Sequence, residues 1–163
     1  MGNLKLFVVY LGGRAEGCNT ELHDTVFVVG NSIEEAYPSL VEKWFGTRLR
    51  LHIDCYAELK YIDGYEIHLR SVPPEDDKRL FFINYGAYAP GVFSEVHEVA
   101  FYVEGSRQKA IHRARKNLCK GLLEAHLDDG LEVREIDIDD CYVHLTKTVH
   151  PNIFNAKCGY IKL

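Results

Sequence analysis

The chain carries one pattern twice, about 74 residues apart, so any fold for it has to accommodate two copies of a single unit. Leu6-Phe7 recurs as Leu80-Phe81, Gly12 as Gly86, Glu21-Leu22-His23-Asp24 as Glu95-Val96-His97-Glu98, and Phe27 as Phe101. Ten of the 27 positions from Leu6 to Ser32 are identical at that offset. The match persists to His52 and Asp54, which recur as His126 and Asp128. It then slips by two or three residues before Tyr65 and His68 meet Tyr142 and His144. This predicts a first copy over residues 1–72, a linker over 73–79 opening on Pro73-Pro74, a second copy over 80–146, and a tail over 147–163.

Each copy reads as strand, strand, helix, strand, strand. Lys5–Leu11 is a continuous apolar run that suits a central strand buried on both faces, and Gly12 to Asn19 reads as a long glycine-rich connection. In the second strand, Glu21–Val29, the two-residue period puts Glu21, His23, Thr25, Phe27 and Val29 on one face. Ser32-Ile33-Glu34-Glu35 has the pattern of a capping box ahead of a helical apolar stripe ending near Trp44. Pro38 lies beyond the first turn of that stripe and predicts a kink or a late-starting helix. Leu51–Leu59 alternates, with Leu51, Ile53, Cys55, Ala57 and Leu59 inward and His52, Asp54, Tyr56 and Glu58 outward, and Tyr65–Leu69 is the fourth strand.

The second copy follows the same order, with a helix from about Arg107 to Lys120, and Gly159–Leu163 in the tail suits an extra strand or an edge cap. The expected fold is α+β: a tandem duplication of a ββαββ unit, antiparallel sheets with one helix per repeat, in a pseudo-two-fold arrangement of eight or nine strands.

Composition narrows the partners. A chain of 163 residues with 47% hydrophobic and 26% charged content is ordinary for a soluble globular protein. A net charge of −5 disfavours nucleic acid, and no apolar run approaches the roughly 20 residues of a membrane-spanning helix. The first apolar stretch has no basic lead-in and reads as a strand, not a signal peptide. Five cysteines, none at the same place in both copies and none in a C-x-x-C pair, predict reduced thiols and a cytoplasmic location.

Leu6–Tyr10, Gly12-Gly13-Arg14, Glu21-Leu22-His23-Asp24, Phe27-Val28-Val29-Gly30 and the Ser32-Ile33-Glu34-Glu35 helix start together resemble a bacterial family known as domain of unknown function 1543. Its module occurs in one or two copies. The resemblance implies bacterial origin and a two-copy member covered nearly end to end, and it adds no chemistry.

The sharpest candidate for chemistry is the duplicated Glu-x-His and His-x-Asp: Glu21, His23, His52 and Asp54, then Glu95, His97, His126 and Asp128. Imidazole nitrogens and carboxylate oxygens suit zinc, manganese or iron. His23 shares its face with Phe27, whereas His52 is opposite Leu51 and Ile53, so the two converge only if the second strand's face turns polar at its start. The default reading is structural: Glu21 and His23 hydrogen-bond the neighbouring loop backbone, and His52 and Asp54 sit on a solvated face. Gly12 to Gly17 has backbone N–H groups for an anion but no Lys-Ser/Thr of a P-loop, and reads as a hairpin loop.

Lys109, Arg113, Lys116 and Lys120 follow helical spacing and predict one exposed basic stripe that meets acidic protein surface, with the chain's own Asp128–Asp140 region a candidate. No nucleophile motif is present. The expectation is therefore a non-enzymatic binding or interaction module, without cofactor. It would be a pseudo-two-fold monomer or a homodimer, partnered by a protein or small ligand and by neither nucleic acid nor membrane. The alternative is a metal-dependent enzyme or metal-binding protein holding Zn or Mn on the duplicated pairs.

Overall fold

The strand from Lys5 is apolar at every inward position of both faces, and only the centre of a two-sided core can satisfy such a run. The computed structural model, which describes residues 4–133 and 141–163, places it there. The first copy comprises β1 (Lys5–Arg14), β2 (Leu22–Gly30), a 3-10 turn (Glu34–Ala36) running into α1 (Tyr37–Lys43), β3 (Thr47–Glu58), β4 (Tyr61–Ile62) and β5 (Tyr65–Arg70). The second comprises β6 (Arg79–Tyr88), β7 (Val96–Glu104), α2 (Arg107–Asn117), β8 (Leu123–Glu132) and β9 (Tyr142–Lys147), and the tail supplies β10 (Lys157–Lys162). The fold is α+β, mainly antiparallel sheets with two short helices: β10-β3-β1-β2, β7-β6-β8 and β4-β5-β9.

Alternation decides what each face meets. Leu6 and Val8 of β1 and Leu80 and Phe82 of β6 face a shared core between the copies, while Phe7, Val9 and Leu11 pack beneath α1. Phe81, Ile83 and Tyr85 do the same beneath Ala110 and Ala114 of α2. Phe27 sits at the junction, its ring in edge contact with Phe82 at 5.7 Å and Phe101 at 6.1 Å. The fourth strands leave their own sheets and pair with each other, β5 antiparallel to β9 with His68 opposite His144.

Local chemistry sets the helix ends. Ser32 Oγ accepts from the Glu35 N–H at 3.4 Å, but the Glu35 carboxylate turns to the N–H and side chain of Asn31 instead of closing the box on Ser32. The α-helix starts late, with Pro38 in its first turn, where a missing N–H costs nothing. Ser106 Oγ caps α2 by accepting from the Lys109 N–H at 3.4 Å. That helix stops at Asn117, so Lys120 lies beyond it.

The basic stripe is also not a uniform face. Arg113 bonds both carboxylate oxygens of Asp63, from the first copy, at 2.6 and 2.7 Å, and Glu104 at 3.1 Å. Its guanidinium lies over the Tyr102 ring, 4.6 Å from the centroid. Asp63 also accepts from the Val103 N–H at 2.8 Å. The hydrogen bonds to Asp63, followed by those to Glu104, raise the pKa of Arg113 further above its ordinary value. The acidic surface that this arginine meets is thus Asp63 and Glu104; of the expected Asp128–Asp140 region, 134–140 lie outside the described residues.

Arg113→Ala is expected to lower unfolding stability by about 1–3 kcal/mol, because it strips a two-pronged charged partner from a half-buried Asp63. Lys116→Ala, on an exposed side chain, should stay within about 0.5 kcal/mol. Equal losses in urea unfolding would refute the assignment.

The clean alternation expected for β3 is broken by a bulge. Tyr10 pairs with Cys55 and Leu11 with Ile53, leaving Asp54 as the extra residue. Leu51 and Ile53 therefore face α1, while Ala57 and Leu59 face the shared core. The same break falls at Asp128, between Asn84↔Asp129 and Tyr85↔Leu127.

The cysteine expectation is corrected too: Cys55 and Cys158 form a disulfide, while Cys18 and Cys119 are free thiols. A bond to the tail has no counterpart in the duplicated unit, so comparing the copies could not reveal it.

Candidate metal centres

β1 does not end at Leu11 but continues through Gly12, Gly13 and Arg14, which makes the glycines strand residues and not an anion-cradling loop. Gly12 lies opposite His23 on β2 and opposite His52 on β3, so the three form one row across the sheet. Gly86 likewise lies between His97 and His126. The face that carries Phe27 and Val8 deeper in does turn polar at this end, as convergence requires.

The glycines are there because a side chain would not fit. A Cβ on Gly12 would stand 2.5 Å from His52 Nε2 and 2.6 Å from Asp54 Oδ2; on Gly86 it would stand 2.6 Å from both Asp128 Oδ2 and Glu95 Oε1. The bulge completes the arrangement. An extra residue at 54 or 128 turns a carboxylate onto the face its histidine neighbour already occupies.

All eight duplicated residues come together, four per copy. In the first, His52 Nε2 is 3.2 Å from Asp54 Oδ1 and 3.6 Å from Glu21 Oε1, and His23 Nε2 is 3.2 Å from Asp54 Oδ2 and 3.9 Å from Glu21 Oε2. In the second, His126 Nε2 is 3.0 Å from Glu95 Oε1 and 3.2 Å from Asp128 Oδ1. His97 Nε2 is 3.2 Å from Asp128 Oδ2 and 3.4 Å from Glu95 Oε2. One donor atom from each of Glu95, His126 and Asp128 lies within 4.8 Å of the others. Asp54 Oδ2 and Glu95 Oε1 are buried and, although an imidazole is close to each, accept no hydrogen bond.

The tautomers are set from behind. His52 Nδ1 is 2.7 Å from the Arg50 carbonyl, and His126 Nδ1 is 2.8 Å from the Glu124 carbonyl. A carbonyl only accepts, so Nδ1 carries the proton and Nε2 faces the carboxylates. Arg50 and Glu124 hold this pose in left-handed backbone, at φ 61° and 49°, which a residue with a Cβ adopts only under constraint. The Glu124 carbonyl, then the charges of Asp128, Glu95 and Glu124, raise the pKa of His126 above the ordinary histidine value, against desolvation that lowers it.

Aromatic neighbours differ between copies. Tyr10 stacks on His23 at 5.0 Å and Tyr160 of β10 on His52 at 3.9 Å, while Tyr88 lies 6.0 Å from His126. The charge of Glu95 is the largest cause of a raised Tyr88 pKa.

Sequence reasoning missed Gly12, Gly86, Arg50, Glu124 and Tyr160 as parts of the site. The glycines were visible as duplicated identities. Arg50 and Glu124 contribute through the main chain, which leaves no residue-type signature. The candidates Lys109, Arg113, Lys116 and Lys120 belong to neither cluster.

A duplicated α+β chain with an imidazole–carboxylate cluster in each copy is the class these features define. The chain belongs to the family described as Domain of Unknown Function (DUF1543), whose model matches it twice, at residues 18–69 and 93–143. It is similar to the protein in "Crystal structure of a protein Il1583 from Idiomarina loihiensis", with 36% identity and a TM-score of 0.71, over 97% of this chain and 96% of that one. No curated protein matches it.

Proposed function

We propose that the chain is a metal-binding protein, each copy holding one divalent zinc or manganese ion between its two imidazoles and two carboxylates. The observation that carries this is the orientation of His52 and His126. With Nδ1 donating to a carbonyl, a ring that carries no second proton aims an Nε2 lone pair at carboxylate oxygens. Negative facing negative is repulsive unless a positive charge sits between them.

A proton on Nε2 is the competing source of that charge. Charge-assisted N–H···O bonds run about 2.7–2.9 Å, shorter than any of the eight distances between 3.0 and 3.9 Å. Two ligands each about 2.1 Å from one ion stand roughly 3.0–3.4 Å apart at octahedral or tetrahedral angles, which is the spacing throughout the second copy. Both ligand types suit zinc and manganese.

The reading extends to architecture: two ββαββ units form a covalent pseudo-dimer with one centre apiece. Its support is the equivalence of detail, Gly12 with Gly86, the bulge at Asp54 with that at Asp128, and Arg50 with Glu124 in left-handed backbone.

Elemental analysis and titration calorimetry on protein stripped with chelator and reloaded provide the test. Two equivalents of zinc or manganese are expected, one in His52→Ala or His126→Ala, and none in the double variant. Protein that takes up neither ion would sink the reading.

A further inference from the structure

The two centres are built alike, and Glu21, His23 and Asp54 are about as exposed as Glu95, His97 and Asp128; what differs is the cover over one imidazole, His52 against His126. β10 pairs antiparallel with β3, setting Lys162 opposite His52 and Cys158 opposite Cys55. That register lays the Tyr160 ring over the imidazole of His52, planes 25° apart, and His52 is only 1% exposed. β8, which occupies the place of β3 in the second copy, pairs with β6 alone among the described residues, and the His126 side chain is 44% exposed.

Besides its disulfide, β10 is held by its interrupted ladder to β3 and by Ile161 and Leu163, which are partly buried against the core beneath α1. It is six residues long, exposed at every position but Ile161, and its register breaks between Cys158 and Ile161. Short, exposed edge segments open at small free-energy cost. Cys158 is itself exposed and lies two residues before Tyr160, so an external thiol reaches the bond that fixes the cover.

We propose that the C-terminal strand is a disulfide-locked cover over His52 of the first centre: reduction of Cys55–Cys158 uncovers that imidazole, while its equivalent His126 stands open to metal ions and small oxygen-donor ligands in either state. The reductant is a dithiol. Its thiolate attacks one sulfur and the S–S bond breaks. Two electrons and two protons pass to Cys55 and Cys158 as thiols, and the reductant leaves as its own disulfide. The consequence for ion exchange rests on the metal reading above; the cover itself does not.

Chelator-stripped protein is labelled at histidine with diethyl pyrocarbonate and read residue by residue by mass spectrometry. It is compared in three forms: oxidised; reduced with dithiothreitol, thiol-alkylated and desalted; and Cys158→Ser. In the oxidised form His126 should label about tenfold or more faster than His52. In the other two forms His52 should rise to a rate comparable with His126, whose own rate stays constant. Tyr160→Ala should speed His52 with the disulfide intact. His52 that labels as fast as His126 in oxidised protein, or stays slow in both disulfide-free forms, overturns the proposal.

A second arm separates it from the metal reading. Zinc-loaded oxidised protein should give up one equivalent quickly and one slowly to a chelator, and reduced protein both quickly. Two equivalents leaving at one rate in both states overturns the proposal. The labelling pattern without any bound zinc upholds the cover and removes the metal.

Discussion

Gly12→Ala and Gly86→Ala should each weaken metal binding in their own copy by about 10- to 100-fold while leaving the metal-free protein folded. A methyl group at Gly12 lands 2.5 Å from His52 Nε2, the atom assigned to the ion, and one at Gly86 lands 2.6 Å from carboxylate oxygens of Asp128 and Glu95. The obstructing atoms are side chains, not backbone: at Gly86 the Asp128 and Glu95 carboxylates move aside freely, whereas at Gly12 the buried His52 ring, held by the Arg50 carbonyl and the Tyr160 stack, yields at a cost in stability. Neither glycine has positive φ, and alanine in such a strand is no worse for the backbone. Calorimetric zinc titration should therefore show the loss in both, while urea unfolding of stripped protein shifts by no more than about 1 kcal/mol in Gly86→Ala and by about 1–3 kcal/mol in Gly12→Ala. Undiminished affinity in both variants would mean that the ion, if bound, sits elsewhere.

Phe27→Ala should cost about 3–5 kcal/mol, enough to threaten folding of a domain this size. The ring is fully buried, and its two edge-on partners, Phe82 and Phe101, both belong to the second copy. Removing it opens a cavity at the junction of β1, β2 and β6, where β-sheet backbones cannot close in. Phe93→Ala, on a fully exposed ring, should change stability by less than about 0.5 kcal/mol in the same denaturant series. A cost near 1 kcal/mol for Phe27→Ala would show that the copies do not depend on this contact.

Much of this was legible in the residues. The repeat and the two-faced burial of β1 follow from identities and hydrophobic period alone, and the late start of α1 is one of the two outcomes, beside a kink, that Pro38 predicts. The family match at residues 18–69 and 93–143 agrees with the duplication read from identities.

What escaped was set by backbone geometry. Leu51–Leu59 has an unbroken two-residue period on paper, and the bulge at Asp54 is silent because an alternating sequence looks the same with or without an extra residue in the ladder. That one residue reverses the facing of Ala57 and Leu59 and turns Asp54 toward His23. The pairing of β5 with β9 was equally hidden, because alternation says which face a strand buries but not which neighbour it takes. The disulfide joined residues 103 apart, one of them in a segment that the repeat does not contain.

That crossed pairing means neither half is a finished object. β5 takes its hydrogen bonds from β9 along Tyr65–Arg70, while its other neighbour, β4, is two residues long. A half standing alone would present that edge bare, a row of N–H and C=O groups seeking another strand. The covalent join between the halves then acts as a tether that fixes which strand arrives, by raising its local concentration, and not as the bond that holds them. Cut between Ser71 and Lys78, the chain would remain one particle; its integrity resides in the ladder.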